Sequence, residues 1–568
     1  MTDIQGLGRR FSVVSACLIF ILPVSVSAVE FDGGSVTGNV DTTVSFGTIS
    51  RVEGRDKSLV CANGGTAYGC NADDGNLNYD TGIVSQMWKV ISDVELKHRG
   101  NKVGAFFRVR GFVDPRNDDS TDTERTPLSG RTLDLVGRHL DLLDAYGWAR
   151  FDVGERPAEV RFGKHVLNWG ESTFIGGGIN AINPIDMAAM RMPGAEIREA
   201  LLPVNMLSLS MDVTEDLSTE IFYQLDWDKV IAEPSGSYFS TNDFATDGGS
   251  RVYLGFGDLP DTGGLGAVPR VGDNNPSDSG QWGVALRCFS EDLNDTEFGF
   301  YYMNHHSRLP VLSGTAGPMN YFTEYPEDIS LFGASFNTDL GKWAIQGEYS
   351  LKQDAPLQID DIELLLAASG IPSTLQQLGT TYTAGQYVRG YIERDVSQLQ
   401  ATVSRLFSNV MDADQFAFTA EAAVTHVHDM PKKGVLRLDG PGTFTSGNPY
   451  HATNLTGAQH TGKAAESWEH FADATSWGYR LVGHWSYNNA FKGINLLPHI
   501  AFAHDVSGVS PGPGGNFIED RKAVTLGLMA VYKNQWEADL SYTIFSGAGR
   551  YNLLNDRDFV AFNLKYSF

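Results

Sequence analysis

From the C-terminus backwards the chain keeps a period of two. In DFVAFNLKYSF, Val560, Phe562, Leu564, Tyr566 and Phe568 fall on one face, and Ala561, Asn563, Lys565 and Ser567 on the other. Successive side chains of an extended strand point to opposite sides, so this is the signature of a strand with one greasy and one polar face. The block VTLGLMAVYKNQWEADLSYTIF repeats it. Val524, Leu526, Leu528, Ala530 and Tyr532 share a face, a turn follows over Lys533 to Gln535, and Trp536, Ala538, Leu540, Tyr542 and Ile544 resume it. Glu537, Asp539, Ser541 and Thr543 point the other way, which makes a hairpin.

The connections then sort by length. Short polar turns at residues 98–101, 154–157, 214–218, 290–295, 337–342, 408–414, 488–493 and 533–535 alternate with long connections. The latter span about 52–83, 114–142, 168–203, 228–280, 304–329, 352–395, 427–477, 505–521 and 546–556. A soluble sandwich has no reason to sort its loops by end. A barrel of the outer membrane does, with short periplasmic turns and long extracellular loops. Nine long and eight short connections predict an all-β fold: a closed antiparallel transmembrane β-barrel of about 18 strands, or about 16 if the least distinct early strands merge. Residues 29–568 form one domain on this reading.

Charge placement agrees with that geometry. A Lys or Arg facing lipid at mid-bilayer costs about 2–4 kcal/mol, so charges belong inside. In QWGVALRCFS, Trp282, Val284, Leu286 and Cys288 alternate with Gly283, Ala285 and Arg287. Cys288 is therefore read as a small apolar residue facing lipid and not as a reactive thiol. Phe298, Trp343, Phe416 and Trp536 each follow a short turn, where a periplasmic aromatic girdle belongs. Two residues resist: Arg405 shares the face of Leu399 and Val403, near enough to a turn to snorkel, and Lys164 shares that of Val160, Phe162 and Val166, which implies a bulge.

The N-terminus supplies an address. Arg9 and Arg10 precede an apolar run from Phe11 to Val24, and Val26 and Ala28 occupy the small-residue positions before a cut, so residues 1–28 read as a signal peptide cleaved near Ala28. A lipoprotein box at Cys17 is disfavoured because the apolar run continues past it, and the rest of a twin-arginine signal is missing. The chain carries a formal charge of −26, and −27 once Asp3, Arg9 and Arg10 are removed. Such a surface repels phosphate backbones, which excludes nucleic acid as a partner. No run of apolar residues past Ala28 is long enough for a membrane-spanning helix, in keeping with a mean hydropathy of −0.20. Cys61 and Cys70, close in sequence in an exported chain, are expected to form a disulfide, leaving Cys288 single.

Particular phrases then become recognisable. DTTVSFGTISRV, DDGNLNYDTGIVS, LDAYGWARFD, RFGKHVLNWGESTFIGGGINAINPIDM, PGAEIREALLPV, YFSTND and TEFGFYYMNHHSRLP resemble the proteobacterial outer-membrane family known as the domain of unknown function DUF1302. The likeness spans nearly the whole mature chain and is most specific over 161–204. It implies a large barrel in the outer membrane of a Gram-negative bacterium, often encoded beside a periplasmic partner and an inner-membrane RND-type exporter. It implies neither a reaction nor a catalytic residue. The aromatic pattern at Phe562, Leu564, Tyr566 and Phe568 resembles the terminal-strand signal read by the barrel-assembly machinery.

The connection over 168–203 stands apart from ordinary exposed loops. It carries Trp169, Phe174, Ile175, Ile179, Ile182, Met187, Met190 and Met192, a load that water disfavours. Gly176, Gly177 and Gly178 allow close backbone approach, and Asn183-Pro184 starts another turn. The loop is expected to fold inward and constrict the lumen, as a gate or as a brace, with Glu171, Asn180, Asn183, Asp186 and Arg191 against solute or wall. Catalysis fits less well. GESTF lacks the second Gly of a nucleophile elbow, and His305, His306 and Ser307 are neighbours whose side chains diverge on a strand. The acidic tracts 71–76 and 114–124 lack the ligand spacing of a calcium loop and read as solvated, open to bridging by divalent ions to lipopolysaccharide, so no built metal site or cofactor is expected. Within 360–379, Ile362, Leu365 and Leu366 suit a short helix ending at Gly370. The expected function is a channel for a solute, favoured as apolar by the loop's methionines and aromatics. The alternatives are a non-conducting scaffold of an export complex and an outer-membrane esterase.

Overall fold

The computed structural model describes residues 29–61, 64–98, 100–118, 126–257, 266–448 and 464–568. The signal sequence expected over 1–28 lies outside them. Eighteen antiparallel strands close into a barrel: β1 (Val36–Arg51), β2 (Gly82–His98), β3 (Val103–Val113), β4 (Arg138–Val153), β5 (Arg156–His165), β6 (Val204–Asp212), β7 (Leu217–Gln224), β8 (Trp282–Ser290) and β9 (Thr296–His305) make one half. The other half is β10 (Ile329–Leu340), β11 (Trp343–Gln358), β12 (Tyr391–Val410), β13 (Ala413–Val427), β14 (Thr475–Phe491), β15 (Ile494–Ser507), β16 (Lys522–Tyr532), β17 (Trp536–Ser546) and β18 (Phe559–Ser567). Each strand pairs with its sequence neighbours, and β18 pairs with β1 from Ser567↔Thr43 to Phe559↔Arg51. The last residue completes the seam: the Phe568 amide donates to Thr42 O at 2.9 Å, and the Thr42 amide to Phe568 O at 2.8 Å. A closed ring leaves no unpaired strand edge, the condition for passing a backbone through hydrocarbon. A four-residue strand, Val29–Asp32, continues the sheet beyond Phe568 by pairing with Thr37–Val40.

The predicted sorting of connections holds at every turn. One end of the barrel carries the eight short turns, the other the nine long connections. The strands run further into those connections than the alternation alone indicated. β4 begins at Arg138, and β11 and β12 extend through Gln358 and from Tyr391. The reason is bulging. The β3–β4 register shifts between Phe107 and Val109, and the β11–β12 register between Lys352 and Ala355, where Asp354 adopts φ 58°. An extra residue reverses the side-chain alternation, so the period of two breaks although the strand continues.

The outer surface is an apolar belt in which Phe162, Phe300, Leu399, Leu526 and Leu540 are exposed. Cys288 lies on it, exposed and unpaired. At the short-turn end the girdle is built of aromatic contacts: Trp343, Phe407, Phe416 and Trp485 contact in sequence, with Phe416 and Trp485 stacked at 4.6 Å, and Trp536 meets Tyr566 at 4.6 Å. Arg405 lies over the rings of Trp343 and Phe407 at 5.0 and 4.5 Å, a cation–π seat at the belt's rim. Lys164 follows Gly163 at φ 120° and reaches the Leu142 carbonyl, beside the β4 irregularity.

At the long-loop end the connections pack on one another. Leu357, Ile359, Leu364, Leu436 and Leu438 share one apolar cluster, and Phe244, Val268 and Tyr321 another. The expected helix is present as Asp361–Ala368 with Gly370 at φ 70°, but it buries Leu364, Leu366 and Ala367 while Ile362 stays half-buried. Cys61 and Cys70 are disulfide-bonded with Cα atoms 5.3 Å apart. The tract 71–76 is not solvated: Ala72, Asp73, Asp74 and Asn76 are buried beneath neighbouring loops. Asp114 is buried too, taking hydrogen bonds from Ser85, the Gln86 amide and Asn117.

Candidate functional site: a loop fastened across the barrel interior

The connection from β5 to β6 makes its contacts with inner-face residues of the strands. Its first lobe is anchored by Leu167, Trp169, Ile179 and Ile182, which cluster with Phe222, Ala285, Tyr301, Met303 and Leu331 of β7–β10. Trp169 is 1% exposed and donates its indole N–H to Glu220 at 2.7 Å. Burying a side chain of that size is worth about 2–3 kcal/mol, so the apolar load noted in the sequence is used against the wall.

Two wall carboxylates then hold the loop's backbone. Glu348 of β11 accepts the amides of Glu171 and Ile179, and Glu421 of β13 accepts those of Thr173, Phe174 and Ile175. Successive N–H groups converging on a carboxylate form an anion-binding nest, with charge-assisted bonds about twice as strong as neutral ones. The approach needs glycine. A Cβ at Gly178 would stand 1.9 Å from Glu348 Oε1, and at Gly170 (φ 84°) 2.3 Å from Oε2. The carbonyls of Gly176 and Gly177 are taken by Gln398, Asn516 and Lys352.

The second lobe crosses to the opposite wall. Asn183 ties the loop's stems together, accepting the Leu167 amide and donating to His165 O and Leu202 O. Asp186 caps a short helix, Met187–Arg191, through the Ala189 amide and lies 3.4 Å from Arg110 of β3. Burial raises the Asp186 carboxyl, with that cap and Arg110 opposing. Ala189 and Met192 pack on Met87 and Phe112, and Pro193 sits on Gly47 of β1. Then Lys89 of β2 meets Glu199 at 2.7 Å with both side chains almost wholly buried, Arg198 meets Asp93 at 2.9 Å, and Glu196 meets Lys565 of β18 at 3.4 Å. Burial pushes Glu196 up, but Lys565 and Arg198 outweigh it and hold the group below its usual range.

Residues 9–568 match the family model described as "Protein of unknown function (DUF1302)". The chain belongs to the DUF1302 family. No curated protein matches the sequence. Among solved structures, the chain is similar to Acinetobacter baumannii OccAB1 at 9% identity and a TM-score of 0.42, over 95% of this chain and 98% of that one. It is similar to Pseudomonas aeruginosa OccK2 (OpdF) in complex with glucuronate at 9% identity and 0.38, over 94% and 98%. A BenF-like porin from Pseudomonas fluorescens Pf-5 gives 9% and 0.40, over 94% and 98%.

Not every singled-out residue of this DUF1302 barrel meets a wall. Phe174 is 44% and Met190 51% exposed, Asn180 bonds to Asn168 of its own loop, and Arg191 faces Glu233 at 3.5 Å and the Phe239 ring. Burial raises Glu233 to about 8. Glu171 accepts from Asn337 at 3.2 Å; burial first, then repulsion by Glu297 and Glu348, raises it to about 7. The wall residues Glu348, Glu421, Lys89 and Lys565 escaped the sequence reading. Their only local signal is a lone charge on the inward parity of a strand. The esterase residues are not assembled: Ser307 donates to Leu309 O at 2.8 Å, and His306 bonds to Ser279 O and the Asp328 amide.

One arc is left uncovered. Among the described residues, the loop's hydrogen bonds, ion pairs and buried apolar clusters involve β1–β3, β7–β13 and β18, and none of them involves the inner face of β14–β17. There Val482, Ala501, Ala503, Ala523, Thr525 and Ser541 are all half-buried, whereas Met87, Phe222, Ala285, Glu348, Gln400 and Glu421 on the covered wall are buried. Asp505, clamped by Arg480 and Arg521 at 2.8 and 2.6 Å, marks the arc's long-loop end. Nearer the other end His499 approaches Asp539 at 3.8 Å, its ring lying over Gly527, where a Cβ would come within 2.2 Å.

Proposed function

We propose that the barrel is a solute channel of the Gram-negative outer membrane, its lumen narrowed by the 168–203 loop to a passage along β14–β17. The observation that carries this is the contrast in the wall: buried anchors under the loop, and along β14–β17 half-buried inner-face residues that, among the described residues, bond to none of the loop. The short turns lie in the periplasm and the long connections outside the cell, as the sorting of lengths requires. The loop serves as a fixed constriction, because its backbone is held by two carboxylates and its second lobe by a buried ion pair. The exposed Phe174, Met190 and Ile197 of the loop, and Val482, Leu497 and Met529 on the inward face of β14–β16, support an apolar or amphipathic solute. Passage is diffusive, and any energy input comes from partners in the envelope.

The test is conductance in planar bilayers before and after deletion of residues 172–192. The wild type conducts, and the deletion raises single-channel conductance several-fold. A wild type and a deletion variant that both insert and conduct nothing would leave the non-conducting scaffold as the correct reading.

A further inference from the structure

The long loops bring together three carboxylates that no local motif announces. Asp73 and Asp74 stand in the first long connection, and Asp243 comes from the fourth, 169 residues beyond Asp74. One carboxylate oxygen from each lies within 4.8 Å of the others, and the three residues are 1%, 9% and 9% exposed. Each side chain is held by a donor of the fold. The Cys61 amide donates to Asp73 Oδ2 at 2.8 Å, Thr126 Oγ1 to Asp74 Oδ1 at 2.8 Å, and the Asp74 amide to Asp243 Oδ2 at 3.0 Å. The other oxygen of Asp243 is inaccessible to solvent and, among the described residues, receives no hydrogen bond. A buried carboxylate oxygen without a donor is costly, so native structures supply a proton, a donor or a cation.

We propose that Asp73, Asp74 and Asp243 bind a hard, oxygen-ligated divalent cation such as calcium, which clamps the first and fourth long connections together. Calcium takes oxygen ligands at about 2.3–2.6 Å, so two ligands of one ion stand up to about 5 Å apart, and three oxygens within 4.8 Å of one another can share it. The fixed donors orient the carboxylates as an outer shell does in built metal sites. No contiguous tract of the sequence carries this site, because the third ligand lies in another loop.

The experiment is calorimetric titration of calcium into the detergent-purified full chain, stripped of divalent ions and free of lipopolysaccharide. The wild type binds calcium at a saturable site. Asp243→Asn weakens that site at least tenfold, whereas Asp292→Asn, an exposed acid in a short turn, leaves it unchanged. Folding of each variant is checked by heat-modifiable migration. Asp243→Glu, which keeps the charge and displaces the oxygen, gives intermediate affinity should the amide variant not fold. No saturable binding to the wild type at millimolar calcium, or equal affinity in folded wild type and Asp243→Asn, overturns the proposal.

Discussion

The wall under the loop and the wall along β14–β17 follow the same rules of strand pairing, alternation and closure, yet their inner faces differ in kind. The covered wall presents hooks: Phe222 and Tyr301 for apolar packing, Glu348 and Glu421 for backbone amides, Lys89 and Lys565 for acids of the loop. The open wall presents the small Ala501, Ala503, Ala523, Thr525, Gly527 and Ser541, and its Arg480, His499 and Asp539 pair with neighbours on the wall and not with the loop. Architecture makes the cylinder, and the inward residues decide which part of it is filled. A loop of apolar character is drawn to a wall that hydrogen-bonds its amides and away from one that offers small surfaces.

That contrast can be broken from the covered side first. Glu348→Ala with Glu421→Ala leaves five loop amides without acceptors. At about 1–3 kcal/mol for each unsatisfied group, undocking of the first lobe is favoured. Conductance should rise toward that of the loop deletion. Lys89→Met leaves Glu199 buried and unpaired, a loss of about 3–5 kcal/mol from the second lobe. Hydrogen exchange at 196–201 should accelerate correspondingly, and adding Glu199→Gln should restore much of the protection. From the open side, Thr525→Trp should lower conductance by at least half with little change in stability, because it fills free space.

The smallest effect expected is that of pH. Glu171 is raised to about 7 in the docked loop, from an ordinary 4.5. An acid with a raised value favours the docked state most below about pH 4.5, and this contribution is lost as pH rises through about 7. Conductance fluctuations attributed to the loop should therefore be smaller at pH 5.5 than at pH 8, and Glu171→Gln should flatten that dependence.

Much of this was legible in the residues. The period of two, the sorted turns and the aromatic girdle are local properties, and they led to the ring of strands and the outward face of Cys288. The loop's apolar load and its glycines likewise pointed to a segment with unusual surroundings. What stayed hidden is long-range. Glu421 lies 247 residues from the Phe174 amide it holds, and no periodicity reports such a partnership. The tract around Asp73 misled for the same reason: its polarity reads as solvation until neighbouring loops are packed over it. Strand ends were shortened wherever a bulge reversed parity, as at Asp354.

The claim that solute passes along β14–β17 is tested most directly by cysteine accessibility under current. In a Cys288→Ser background, Thr525→Cys or Ala501→Cys treated with a hydrophilic thiol reagent should lose most of its conductance, while Ser350→Cys on the buried inner face of β11 should be unaffected. Equal block at Ser350 and Thr525, or block at Ser350 alone, would contradict the account.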